Sequence, residues 1–237
     1  MRFLHEKPSI QLLIFDLDGT LIDSKADLAN SVNATLRHLG RAPIEDERIF
    51  SYVGRGAPML IKQALGEGST PWEISEGVEF FLRCYNSHML DHTTLYPGVR
   101  ETLYQLANGH QPSEVRRVMA VLSNKPVWPT REIIRGLGLK QFFKVIYGGN
   151  SFEFKKPDPI GIFAILRDTG AVAASSMMVG DSDVDILTGV NAGVWTCGVT
   201  HGFGTLNVKE NPPDLIVDSL PELADAILHN TPARKLT

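Results

Sequence analysis

Residues 12–15 form an unbroken apolar run that stops at an acid, Asp16, with a second acid at Asp18 and a turn signal at Gly19-Thr20. A short apolar run closed in this way predicts a strand buried on both faces. Comparable runs recur at 118–122, 145–147, 177–180, 194–199 and 215–217. Between them the apolar positions change to helical spacing, over 99–106, 129–137, from Asp158-Pro159 to Gly170, over 184–192 and over 220–228. Asp158-Pro159 predicts a helix start with a side-chain cap and Pro in the first turn. Strands alternating with helices predict an α/β fold with a mostly parallel sheet covered on both faces. Ligands in such folds bind beyond the carboxyl ends of the strands.

Residues 25–92 interrupt the alternation. Asp23 or Ser24 is placed to cap a helix in which Leu28, Val32, Leu36 and Leu39 share a face, and Gly40 ends it. Short helices are predicted over 45–52 and 58–65. A longer one over 71–90 carries Val78, Phe81, Leu82, Tyr85 and Met89 on one stripe. No strand pattern occurs here. The expected organisation is a core of residues 1–24 and 93–237, with an all-helical unit, 25–92, inserted after the first strand and placed to close over the site. The polar stretch 108–117 reads as a surface loop, and 230–237 as a frayed tail.

Composition narrows the function classes. At 237 residues the chain suffices for one sizeable domain with an insert, and a net charge of −4 without a basic block argues against nucleic acid as a partner. Cys84 and Cys197 lie far apart and form no CxxC pair, which fits reduced thiols rather than a disulfide framework. The first residues lack the apolar core of a signal peptide, and no apolar run approaches the ~20 residues that span a bilayer. The expectation is a cytoplasmic protein without a membrane or nucleic-acid partner. It is expected to act on a small phosphorylated metabolite as a monomer or homodimer.

Four polar clusters sit where strands end: Asp16 with Asp18, Ser123-Asn124-Lys125, Lys155-Lys156, and Gly180-Asp181-Ser182-Asp183 with Asp185. In a parallel sheet all four converge on one edge. Two acids directly after a buried strand are costly unless paired or bound to metal. Asp16 is the candidate nucleophile, since carboxylates attack phosphorus to give aspartyl-phosphates. Asp18 is the candidate acid and base, and its main-chain carbonyl a further metal contact. Asp181 with Asp16 suits a hard cation, Mg²⁺, with Asp185 behind it near metal waters or Lys156. Asp183 reads as a solvated acid at a helix start. Gly19 lets the chain turn tightly past a phosphate, and Thr20 follows it there. Ser123 and Asn124 are placed to hold non-transferring oxygens, or merely to cap a turn. Lys156 is the candidate for stabilising the phosphoryl group in transfer, with Lys155 the exposed one of the pair.

The order DxDGT, SN, K, GDSxxD resembles the haloacid dehalogenase superfamily of phosphohydrolases. Here it reads Asp16-Leu17-Asp18-Gly19-Thr20, Ser123-Asn124, Lys156 and Gly180 through Asp185, spanning nearly the whole chain. The resemblance implies a Rossmann-like core, Mg²⁺, an aspartyl-phosphate intermediate and a small helical cap. Asp18 favours phosphoryl over dehalogenase chemistry, and Gly180 with Thr20 departs from the phosphomutase pattern. The nearest pattern is that of phosphatases acting on 2-phosphoglycolate, carried also by Tyr52 to Gly56, Tyr96 to Val99, SNKP at 123–126 and KKPDP at 155–159. Arg55, between two glycines, either grips a substrate carboxylate or stands as a solvated loop residue. His201, Gly202 and Phe203 either line the mouth or form a simple turn. His88 and His92 read as exposed helix residues. The alternatives are a pyrophosphatase, a nucleotide or sugar-phosphate phosphatase, a phosphomutase, or a non-catalytic phosphate-sensing or partner-binding protein.

Overall fold

A computed structural model describes residues 9–108 and 116–228. Six parallel strands form one sheet in the order β5-β4-β1-β6-β7-β8: β1 (Leu12–Phe15), β4 (Val118–Leu122), β5 (Val145–Tyr147), β6 (Ser176–Gly180), β7 (Trp195–Val199) and β8 (Leu215–Val217). β1 is central, flanked by β4 and β6, and all its residues are buried.

Alternation along the strands separates two apolar layers. Leu12, Ile14, Ala120, Leu122 and Met178 pack with Ile162 and Ile165 of α7 (Ile160–Thr169) and Ala192 of α8 (Asp183–Ala192). Leu13, Phe15, Met119, Val121, Met177 and Val179 point the other way. They pack with α5 (Val99–Asn108), α6 (Val127–Gly136) and α9 (Leu220–Leu228). The result is a Rossmann-like sheet with helices on both faces.

Four helices lie between β1 and the rest of the core: α1 (Lys25–His38), α2 (Asp46–Phe50), α3 (Ala57–Leu65) and α4 (Pro71–His88). Their buried side chains, among them Leu28, Leu60, Phe81 and Tyr85, continue the apolar layer of Leu13 and Phe15. α4 starts with a full capping box, Thr70 with Glu73, and Pro71 as its first residue. The chain enters and leaves this helical layer through an antiparallel two-stranded ribbon, β2 (Ile22–Asp23) with β3 (Thr94–Leu95).

Of the two residues placed to cap α1, Asp23 accepts from Lys25 N through Oδ1, whereas the Ser24 hydroxyl makes no cap bond and donates to Asp18. Asp158 precedes Pro159, the residue at the cap position of α7, and its carboxylate accepts from Ile160 N. Both cysteines are free thiols. Most of the polar stretch 108–117 and the tail 230–237 lie outside the described residues. Among the described residues no helix is long and apolar enough to cross a membrane.

Candidate active site

Register fixes the site. Phe15 pairs with Val121 on one side and Val179 on the other, so β4, β1 and β6 end level. Asp16, Ser123 and Asp181 therefore emerge side by side at the carboxyl edge of the three central strands, at the place expected for a ligand in an open α/β sheet.

Asp16, Asp181 and Asp185 form a buried cluster whose carboxylate oxygens lie within 4.8 Å of one another. Lys156 Nζ sits 2.8 Å from Asp16 Oδ1 and 2.6 Å from Asp185 Oδ1. Burial opposes the charge on Lys156, but the two carboxylates outweigh it and hold its pKa above the ordinary range. Burial pushes Asp16 up to about 6, with Lys156 pulling the other way. Burial, then Asp185 and Asp16, push Asp181 up to about 8. Asp185 is fixed from its other oxygen by Ser182 N and Oγ, which makes it a helix cap and an ion-pair partner at once.

The cluster fits a divalent cation. Three carboxylates face one ammonium, and crowding of this kind is relieved by a hard cation with oxygen ligands. Asp16 Oδ1 meets Lys156 Nζ at 2.8 Å, and a carboxylate with one such contact keeps lone pairs to offer a cation. Asp181 is held by main-chain donors from Phe203 and Gly204, at 3.0 and 2.7 Å. Gly19 and Gly202 press on the same carboxylate: a Cβ on either would overlap Asp181 Oδ2. Gly19 also has φ +84°, open to glycine at little cost. The loop after β7 thus serves Asp181 rather than forming a plain turn, and His201 ties it to the first loop by contacting Thr20 O.

Asp18 faces away from this cluster. Its carboxylate accepts from Ser24 Oγ at 2.6 Å and from Lys125 Nζ at 2.6 and 2.8 Å. Its side chain is therefore no part of the acidic cluster. Lys125, which the sequence reading passed over, is buried in this contact, with Nζ 4.6 Å from the centre of the Tyr85 ring of α4. Burial opposes its charge, but Asp18 and Tyr85 outweigh it and raise its pKa. Burial pushes Tyr85 up to about 12 against the pull of Lys125.

Ser123 and Asn124 line the same cavity as Asp16 and Asp18. Ser123 Oγ accepts from Lys125 N. The Asn124 side chain is already engaged: its Nδ2 donates to Gly54 O and Lys156 O, and its Oδ1 accepts from Lys156 N. It braces the loop of Lys156 against the helical layer instead of pointing a free amide at a phosphate. Thr20 is buried behind the first loop and does not line the cavity. Arg55 is exposed and does not line it either, although Gly54 and Gly56 do. Lys155 is exposed, and Asp183 accepts from Asn207 N at the start of α8. His88 pairs with Asp91 at the surface, whereas His92 contacts Asp27. The cavity is completed by apolar side chains of the helical layer, including Leu28, Val53, Leu60 and Phe81, and by Pro126 and Pro129.

The parallel sheet, with buried carboxylates at its central strand ends, accords with a hydrolase of the α/β class. The haloacid dehalogenase-like hydrolase family model matches residues 13–199, and the chain belongs to that family. It is 37% identical over 225 residues to a phosphoglycolate phosphatase of Pseudomonas fluorescens (strain Pf0-1), covering 92% of this chain and 80% of the relative. A phosphoglycolate phosphatase of Vibrio parahaemolyticus is 37% identical over 227 residues, covering 92% and 96%. Among solved structures, a predicted phosphoglycolate phosphatase from Haemophilus somnus 129pt superposes with a TM-score of 0.83 at 28% identity, covering 94% of this chain and 99% of that one.

Proposed function

We propose that the protein is a Mg²⁺-dependent phosphoric monoester hydrolase that converts 2-phosphoglycolate to glycolate and phosphate. The observation that carries this reading is the placement of Asp16: a buried carboxylate at the end of the central strand, its Oδ1 2.8 Å from Lys156 Nζ, opening on a cavity shared with Asp18. Asp16 attacks phosphorus to form an aspartyl-phosphate as the ester P–O bond breaks, and Asp18, entering the step protonated, gives its proton to the departing oxygen. Asp18 then takes a proton from water, which attacks phosphorus and restores Asp16. Lys156 and the Ser123 hydroxyl hold the phosphoryl oxygens through both steps. Asp16, Asp181 and the Asp18 main-chain carbonyl would hold Mg²⁺, with Asp185 beside them, and its charge would offset that of the phosphoryl group. The helical layer acts as the cap that selects the leaving group, since its side chains form the cavity wall opposite the acids. The names of the relatives support 2-phosphoglycolate as the substrate.

A panel of phosphate esters tests this reading, including 2-phosphoglycolate, pyrophosphate, nucleotides and hexose phosphates, each with Mg²⁺. The kcat/KM for 2-phosphoglycolate is expected to exceed the others by at least about tenfold. A flat profile, or one led by sugar phosphates, overturns the substrate. Asp16→Asn is expected to lower kcat by roughly 10⁴-fold or more with unchanged thermal unfolding; near-normal turnover would overturn the mechanism.

A further inference from the structure

The Lys125 ammonium is the one strong group in the cavity to which the reaction above gives no task. It is buried and bonded to both oxygens of Asp18. One flank lies against the Tyr85 ring, and the wall beyond is apolar, from Leu28, Leu60 and Phe81. Among the described residues lining the cavity it is the single cation. A buried charge stripped of its partner is costly. A ligand that draws Asp18 into service must therefore bring its own anion to Lys125.

We infer that Lys125 reads the leaving group, binding a carboxylate carried on the carbon next to the ester oxygen. The inference rests on the phosphatase reading above and names the residue that sets its substrate class. Asp18 is the group that serves the ester oxygen, and Lys125 Nζ lies one hydrogen bond from it. A carboxylate on the adjacent carbon stands two bonds from the ester oxygen, which brings it within contact of the same ammonium. On binding, Lys125 exchanges one carboxylate for another. Asp18 keeps its contact with Ser24 Oγ, and the oxygen released by Lys125 takes a proton from solvent and donates it to the ester oxygen. A substrate that presents neutral hydroxyls there leaves the ammonium unpaired among apolar walls. Arg55, exposed and outside the cavity lining, does not compete for this task.

The test compares 2-phosphoglycolate with its neutral analogue 2-hydroxyethyl phosphate in the wild type, Lys125→Met and Lys125→Arg, all with Mg²⁺. Each ratio of kcat/KM is taken on one preparation, so it does not depend on the folded fraction. The ratio is expected to fall roughly 100-fold in Lys125→Met and to recover in part in Lys125→Arg. Calorimetric binding of two non-hydrolysable phosphonates supplies a second readout. The affinity advantage of 3-phosphonopropionate over propylphosphonate is expected to fall by a similar factor in Lys125→Met. If both substrates lose activity together and both ratios hold, Lys125 only positions Asp18; the inference is then overturned and the phosphatase reading stands. If the wild type itself treats the two esters alike, the 2-phosphoglycolate reading fails and takes the assignment of Lys125 with it.

Discussion

Asp181 is held by what its neighbours lack. Gly19 and Gly202 leave room for its carboxylate where any side chain would collide, and Phe203 and Gly204 turn their amides onto it. Gly19→Ala is therefore expected to act through Asp181. The added methyl overlaps Oδ2, and the residue must also keep φ +84°, so a loss of about 2 kcal/mol in unfolding free energy is expected. Turnover should fall by a larger factor if the displaced carboxylate holds the cation as proposed; unfolding curves and kcat on one preparation separate the two. An alanine variant with wild-type turnover would remove the steric argument. At this scale the sequence was informative where a residue type was improbable in its place. Acids directly after buried apolar runs marked Asp16 and Asp181, and the paired lysines before a proline marked Lys156. Lys125 had no such mark. A lysine after Ser-Asn looks solvated, and it is buried only because Tyr85, from a distant helix, covers it. Arg55 is the converse case. The loop brings the main chain of Gly54 to Asn124, and the arginine side chain stays in solvent.

Between elements, the junction of helical layer and core depends on one carboxylate. Asp27, in the first turn of α1, is 1% exposed. It accepts from the main-chain N–H of His92 and Thr93 and from the Thr93 hydroxyl, and it contacts His92 Nδ1 at 2.9 Å. It thus ties the outgoing chain to the first helix, just beside the β2–β3 ribbon. Burial alone would raise its pKa, but the bonds from Thr93 and His92 outweigh it and hold the carboxyl below its ordinary 3.8. A carboxyl depressed in the folded state is protonated more readily when unfolded. Its stabilisation is therefore complete above the ordinary value and lost as pH falls through the depressed one. Asp27→Asn is expected to cost roughly 2 kcal/mol near neutral pH. The difference from wild type should begin to shrink as pH falls below the ordinary 3.8 and should vanish only below the depressed value, as read by denaturant unfolding at several pH values. A gap that stays constant with pH would mean that the charge of Asp27 is irrelevant. The sequence showed the helices on either side because each repeats its apolar spacing over several turns. It could not show the ribbon, whose strands of two residues carry no period, nor Asp27, which resembles any acid in a first helical turn.

Across the whole molecule, the fold concentrates negative charge and leaves it incompletely balanced. The ends of β1 and β6, with the first turn of α8, bring one carboxylate oxygen each of Asp16, Asp181 and Asp185 within 4.8 Å of one another, against the single ammonium of Lys156. The fold was legible because each βα unit repeats one pattern, and parallel pairing in register then brings the motifs to one edge. The crowding was not legible, because it depends on how closely those edges approach. Its cost is visible in Asp181, pushed up to about 8 by burial and by its two acidic neighbours. If the cluster holds the proposed cation, it is expected to cost stability when empty and to restore it when filled. Near neutral pH and without a cation, Asp181 must take up a proton to sit in this site; Asn removes that cost and retains an oxygen for the amides of Phe203 and Gly204. The metal-free Asp181→Asn variant is therefore expected to unfold at a higher temperature than the metal-free wild type. Mg²⁺ should reverse the order. At about 100 times its dissociation constant it adds about 2.7 kcal/mol to the wild type, while the variant, short of a ligand, responds little and loses turnover. Thermal unfolding of both proteins, with chelator and with Mg²⁺, reads all four states. If the wild type and the variant respond equally to Mg²⁺, the cation binds elsewhere, and the acidic cluster needs another explanation.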